Sequence, residues 1–329
     1  MRISHPSRRR VVGLAAAAAF AGVAPALRAQ GFPNKPVRII VAYAPGGAND
    51  IAARLIGQLL GERLKQPFVV ENRPGASGST GTGLVAKSPA DGYTLLLGAG
   101  GTMTMNPGLF DKLPYDPVKD FAPIGLAARS PLVVLVPPAL PVKNISELVA
   151  YAKSKPEGIT YASPGAGTPL HLAGELFTRR AGVKTLHVPY KGSIPALTDL
   201  MAGRVDLMFD VQGSSLQFVR GGKLRALGVT SLERSRHLPD VATLHEQGLK
   251  DFDVTSWFGL FAPAGTPREV VALLESELAK AVATPEARER LAPLGMDPAP
   301  ANGAQLGALV AAEGARWDEL IRQAGIKPE

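Results

Sequence analysis

The sequence predicts an α/β protein of two lobes, each built on a mostly parallel sheet flanked by helices, with two crossing segments between them. Three observations carry this expectation. From Val37 onward, short apolar runs bounded by Gly or Pro alternate with amphipathic stretches, the pattern of strands covered on both faces by helices. Two strands run straight into glycine-bearing turns that open helices, at Pro45-Gly46-Gly47 and at Gly165-Ala166-Gly167. Two extended segments rich in proline and aromatic residues, 127–138 and 255–263, suit chain crossings.

Taken in order, the chain opens on a basic and then apolar leader. Ser7-Arg8-Arg9-Arg10 precedes a low-charge run over residues 11–26, the layout of an export signal and too short for a comfortable bilayer span. Cleavage fits after Ala26 or Ala29; Ala29 is favoured because Gln30-Gly31-Phe32-Pro33 then begins the ordered chain. Ser7-Arg8-Arg9 with Val11-Val12 also resembles a twin-arginine signal, although Gly13 stands where Lys is frequent. The expectation is a cleaved signal over residues 1–29 and an exported, soluble remainder.

Strands are predicted at residues 37–42, 68–70, 93–97, 132–136, 159–162, 185–188, 205–209 and 224–229. In residues 49–64, Ile51, Leu55 and Leu59 form one stripe with Ala52, Ile56 and Leu60 beside it, which predicts a helix with one buried face. Asn144 and Glu147 are spaced as a capping box for a helix through Lys153. Thr168-Pro169 supplies an N-cap followed by a proline suited to the first helical position. Gly203 marks the end of a helix that begins near Ser193. Helices after Pro267 return to the first lobe, so the lobes are expected at 30–130 with 256–329, and at 131–255.

Composition narrows the function. The absence of cysteine excludes disulfides, thiol nucleophiles and Cys-ligated metals. Of the formal charge of +8, five arginines (Arg2, Arg8, Arg9, Arg10 and Arg28) lie in the acid-free leader, and +3 remains. That is no footprint for nucleic acid. The histidines lack His-Glu-x-x-His spacing, no phosphate-binding P-loop occurs, and Gly75-Ala76-Ser77-Gly78-Ser79 lacks the last glycine of a nucleophile elbow. No cofactor or metal is therefore expected. One enzyme alternative survives, an exported nucleotide-cofactor-binding α/β protein, because the first strand, turn, helix and second strand ending at Glu71 imitate a dinucleotide unit. Pro45-Gly46-Gly47 does not match its Gly-x-Gly-x-x-Gly.

The candidate site centres on the two turns, with Tyr43, Pro45, Gly46, Gly47, Asn49 and Asp50 in the first and Ser163, Gly167 and Thr168 in the second. Each turn is expected to leave backbone N–H groups open at a positive helix end. A helix end is worth about 0.3–1 kcal/mol to an anion, whereas micromolar affinity needs about 8 kcal/mol. Several charge-assisted hydrogen bonds of about 1.5–3 kcal/mol each must supply the difference. Other loops add Ser77, Thr102 and Tyr190. Asp210 ends a strand and either holds a ligand amino group or orders a loop, and His171 is either a capping residue or a ligand contact.

These stretches, read in sequence, are Tyr43-Ala-Pro-Gly-Gly-x-Asn-Asp50, Val70-Glu-Asn-Arg-Pro-Gly-Ala76, Gly167-Thr-x-x-His-Leu-Ala-Gly-Glu-Leu176, Val188-Pro-Tyr-Lys-Gly-Ser193 and Gly203-Arg-Val-Asp-Leu-Met-Phe-Asp210. From about Phe32 to the C-terminus the chain resembles the Bug, or TctC-like, periplasmic solute-binding proteins of tripartite tricarboxylate transporters. The resemblance implies a periplasmic-binding-protein fold, a monomer whose cleft closes on a small carboxylate. Its ligand class is a di- or tricarboxylate, an acidic amino acid or an aromatic acid. Its partners are the membrane subunits of such a transporter, or a sensor protein. It also implies that both turns grip a carboxylate and that Asp210 faces the distal part of the ligand. Met103, where a polar residue is common, and Val211-Gln212, where Asn often follows the aspartate, depart from the family pattern and imply a more apolar wall.

Overall fold

Val37, Ile39, Ile40 and Val41 are fully buried, so this stretch takes the strand form in which both faces are covered. It is the first strand of a computed structural model that describes residues 31–326 apart from Ala166. The leader read as an export signal lies outside the described residues. Strands β1 (Val37–Val41), β2 (Phe68–Asn72) and β3 (Thr94–Ala99) are linked by helices α1 (Ala48–Leu64) and α2 (Ser79–Ala86). A π-helical turn at Gly101–Met105 and the short α3 (Asn106–Leu109) lead to the long strand β4 (Phe121–Val136). There follow α4 (Ile145–Lys153), β5 (Ile159–Ser163), α5 (Pro169–Ala181), β6 (Thr185–Pro189) and α6 (Ser193–Met201). Next come β7 (Leu207–Val211), α7 (Gln212–Arg220), β8 (Arg225–Val229) and β9 (Thr255–Pro263). The chain ends on α8 (Arg268–Val282), α9 (Pro285–Leu291), β10 (Asp297–Asn302) and α10 (Gly303–Ala324).

The strands form one sheet in the order β2-β1-β3-β9-β4-β7-β5-β6, with β8 and β10 also paired to β4. Both flanks are parallel, β2-β1-β3 on one side and β7-β5-β6 on the other. The centre is antiparallel because β4 carries the chain from the first flank to the second and β9 brings it back. Along β4 the partners change abruptly: Pro131 still faces Thr255 of β9, and Leu132 already faces Val211 of β7.

Each flank has its own buried core. Ile40, Leu96, Phe121, Trp257 and Phe261 pack together in the first. Leu132 to Val136, Tyr161, Phe177 and Phe209 pack in the second. Side chains of this size contribute about 1.5–3 kcal/mol each on burial. Helix α10 belongs to both cores, with Leu306 and Val310 in the first and Trp317, Leu320 and Ile321 in the second. The caps read from the sequence are present: Asn144 accepts from Glu147 N–H at 2.8 Å, and Thr168 accepts from His171 N–H at 3.3 Å. Among the described residues no helix is long and apolar enough to cross a membrane.

Candidate functional site

The carboxyl ends of β1, β3, β5 and β7 open on one cleft, the position where open α/β sheets receive ligands. It consists of two adjoining hollows of about 380 and 240 Å³ that share Ala48, Ser193, Val211 and Phe258. Both glycine turns reach it. Gly46 and Gly47 line the larger hollow, while Tyr43 and Asn49 face Pro164 and Thr168 across the smaller one. The rest of the larger wall is largely apolar, with Ile51, Ile194, Leu294 and Met296. Among the described residues, no Lys, Arg, Asp, Glu or His lines either hollow.

The first turn is held from behind. Asp50 accepts from Gly46 N–H at 2.9 Å, from Arg54 Nε at 3.0 Å and from Asn72 Nδ2 at 2.9 Å. Burial opposes its charge, but these donors outweigh burial and keep the carboxyl below its ordinary range. Asn72 also donates to the Tyr43 carbonyl at 3.1 Å. Asp50 is thus a fastener of the turn, and its carboxylate is already engaged. Ahead of it, the N-cap of α1 is Gly47, which is extended and offers no side-chain cap. The first amides of α1 therefore have no capping side chain on the side of the cleft. Asn49 Oδ1, at this same end, is buried without a hydrogen-bond partner.

The second turn differs from its sequence expectation. Gly165 N–H donates to Ser163 Oγ at 3.2 Å, Gly167 N–H donates to His171 Nδ1 at 2.9 Å, and Thr168 caps α5 itself. The Gly165 and Gly167 amides are spent inside the turn because two side chains of the right reach, Ser163 and His171, stand beside them. The open amides come instead from two helices on the same flank. The N-caps of α6 and α7 are Gly192 and Val211, neither of which supplies a side-chain cap. Ser193 and Ile194 of α6, and Gly213 and Ser214 of α7, line the larger hollow.

Asp210 stands one layer behind that wall, fully buried. It accepts from Ser193 Oγ at 3.0 Å and Ser214 Oγ at 2.5 Å. Burial pushes its carboxyl up to about 6, against the pull of the two serines and of Val211 N–H. Ser130, the third serine of this hollow, donates to the Gly295 carbonyl at 2.8 Å. All three hydroxyl protons are therefore turned away from the cleft.

The remaining candidates are set back. Pro45 is exposed beside the first turn. Ser77, in a left-handed conformation at φ 51°, gives its carbonyl to Asn106 Nδ2 at 3.0 Å. Thr102 is buried in the π-turn and its carbonyl accepts from Tyr115 Oη at 2.6 Å, while Met103 packs in the first core. Tyr190 donates to Asp199 at 2.9 Å, and Gln212 is buried against Ser235 at 2.7 Å. Sequence reasoning missed the lining roles of Gly101, Ser130, Ser214, Trp257 and Phe258. Gly101 has a physical signature: a Cβ there would sit 2.8 Å from the Tyr43 hydroxyl, whose own ionisation burial pushes up. Among the described residues no cluster of His, Cys, Asp and Glu could hold a metal ion.

Residues 52–326 match the family described as Tripartite tricarboxylate transporter family receptor, TctC. The chain belongs to this family. A Pseudomonas sp. strain P51 protein encoded in the tcbD-tcbE intergenic region is 42% identical, over 97% of this chain and 95% of that one. BugT of Bordetella pertussis is 36% identical over 94% and 95%. Among solved structures, Rpa4515 of R. palustris with adipate is 36% identical, covers 91% of this chain and 100% of its own, and has a TM-score of 0.81. MatC of Rhodopseudomonas palustris with bound malate is 36% identical over 88% and 100%, with a TM-score of 0.75. TctC proteins are solute-binding receptors and not enzymes, so the nucleotide-enzyme alternative lapses.

Proposed function

We propose that this TctC protein captures a small organic acid in the cleft, in the periplasm, and delivers it to the membrane subunits of a tripartite tricarboxylate-type transporter. One observation carries the reading: three helix N-termini without side-chain caps, those of α1, α6 and α7, line one cleft that, among the described residues, no charged side chain enters. Such ends favour anions, and backbone donors bind a carboxylate without the desolvation cost of a buried arginine. The ligand carboxylate belongs at the first turn, against the amides that follow Gly47. The apolar stretch at Ile51, Ile194 and Phe258 suits a hydrocarbon body. The serine wall backed by Asp210 offers oxygen lone pairs, which suit a hydroxyl, amino or protonated carboxyl group at the far end.

The relatives with adipate and malate support a ligand of this size and class. The leader supports export by a cleaved signal, whether general or twin-arginine. The change of partners along β4 at Pro131 supports lobes at 30–130 with 256–329 and at 131–255, with ligand favouring the closed population through contacts from both. Thermal-shift screening of the mature chain against adipate, malate, benzoate, aspartate and NAD tests the reading. Occupancy at a hundred times Kd stabilises by about 2.7 kcal/mol, so at least one acid should raise the melting temperature. Stabilisation by the nucleotide alone would overturn the assignment. Pull-down of the loaded protein from membranes identifies the recipient; capture of a sensor kinase without transporter subunits would overturn the delivery step.

A further inference from the structure

The second turn is built against an unusual support. His171, in the first turn of α5, stacks on His187 of β6 with ring centroids 3.8 Å apart and planes 10° from parallel. The Tyr161 ring of β5 packs beside both, its centroid 4.9 Å from His187 and 6.1 Å from His171. Gly174 makes room for this arrangement, since a Cβ there would lie 2.3 Å from the Tyr161 ring. The two imidazoles fasten opposite ends of the turn. His171 Nδ1 accepts from Gly167 N–H at 2.9 Å, and His187 Nε2 lies 2.7 Å from Ser163 Oγ, which in turn holds both the N–H and the carbonyl of Gly165. Between these anchors, Pro164 and Thr168 present themselves to the cleft.

We propose that His171 and His187 are positioning residues for the ligand site: as a neutral stacked pair they hold the second turn in its cleft-facing form, and protonation of the pair releases it. The proposal rests on the carboxylate reading for its effect on binding, though not for its effect on the turn. A proton on His171 Nδ1 removes the acceptor that Gly167 N–H uses, and two adjacent imidazolium rings repel each other. The other titratable groups facing the pair are Glu175 of α5 and Tyr161, joined by a 2.5 Å hydrogen bond, with Glu175 Oε1 3.8 Å from His171 Nε2. Burial draws both histidines down from 6.5 to about 4, His171 adding to the effect on His187 and Glu175 opposing it. The sign follows: the pair is neutral and the turn fastened at neutral pH, and the turn is freed as pH falls through about 4.

The test uses the mature chain with labelled glycine and histidine. By NMR without ligand, the Gly167 amide signal and the ring signals of His171 and His187 are followed from pH 7.5 to 3.5. The expected result is that the rings titrate well below 6.5 and in two steps, since the first charged ring opposes the second proton. His171 should be the Nε2–H tautomer at neutral pH, and the Gly167 amide should follow the His171 step, with no such response in His171→Asn. Rings that titrate near 6.5, or a Gly167 amide that stays still while they protonate, would overturn the proposal. With adipate and malate as probes at pH 7.5, His171→Ala is expected to bind about three- to tenfold more weakly, the loss of one neutral hydrogen bond, and His171→Asn, which keeps an acceptor, to restore affinity. Equal affinity in His171→Ala and wild type would also overturn it. If the wild type binds neither probe, the carboxylate reading is in difficulty while the Gly167 titration still decides the role of the pair.

Discussion

Replacing Gly47 by aspartate should fill the anion site with the protein's own carboxylate. Gly47 has φ −80° and ψ 172°, the extended geometry of an ordinary N-cap. A Cβ there meets only the Ala44 carbonyl at 3.8 Å, so a side chain fits without strain. The new carboxylate would accept from the first amides of α1, the same donors assigned to the ligand. Without ligand, Gly to Asp at an N-cap gains a few tenths of a kcal/mol, and the helix end adds about 0.3–1 kcal/mol, reduced by the nearby Asp50 charge. The melting temperature should hold or rise slightly. Ligand binding should lose two charge-assisted hydrogen bonds, about 3–6 kcal/mol together, or at least a hundredfold in affinity. Calorimetric titration with the acid that stabilises the wild type measures this, with Gly47→Ala, which leaves the amides open, as the control. Wild-type affinity in a folded Gly47→Asp protein would show that the ligand carboxylate sits elsewhere.

Other perturbations report on the layers around the site. Asp210 binds its proton more tightly folded than unfolded, so its contribution to stability falls as pH rises from about 4 to 6, and above that its buried charge costs about 3 kcal/mol at most. Asp210→Asn should therefore raise the melting temperature at pH 7.5 and remove that slope from melts recorded between pH 4 and 8; a variant less stable at pH 7.5 contradicts this. Asp50 has the opposite sign, its carboxyl being held low by Arg54, Gly46 N–H and Asn72, so its contribution is present above the ordinary 3.8 and fades as pH falls below it. Asp50→Asn should lose about 1–3 kcal/mol in urea titrations at pH 7 and approach the wild type toward pH 3. Gly101→Ala should push the Tyr43 ring toward the cleft, weakening ligand binding at a stability cost of about 1–3 kcal/mol; calorimetry and thermal melts separate the two effects.

The parallel flanks were legible because their strands are continuous apolar runs closed by Gly or Pro, and the caps at Asn144 and Thr168 because they are local chemistry. Strand β10 was not, since Asp297-Pro298-Ala299-Pro300 has the composition of a loop. It pairs with β4 through an irregular register, a setting in which prolines are tolerated. The π-turn after β3 is also silent in sequence, being fixed by Tyr43, Asn106 and Tyr115 closing around it. In the site, the first turn announced itself through its paired glycines and its asparagine. The Gly165 and Gly167 amides read as open in the sequence although near neighbours, Ser163 and His171, occupy them, because what aims those side chains is non-local: His187, on another strand, lies against both. The lining serines had no signature at all, because a serine at a strand or helix end is the same residue whether it faces solvent or a ligand.

The last helix sets the scale on which the cleft can work. At 22 residues α10 runs about 33 Å, rooted near its start among Leu306 and Val310 and near its end among Trp317 and Ile321. A wide hinge would tear Trp317, which is 1% exposed, from its bed. Gly314, with open space around it, lies between the two roots and is the natural place for the rod to flex. Under the proposed capture role, a shallow bend about this shared strut would admit and discharge the guest, and a stiffer residue at that point would trade speed of exchange for grip.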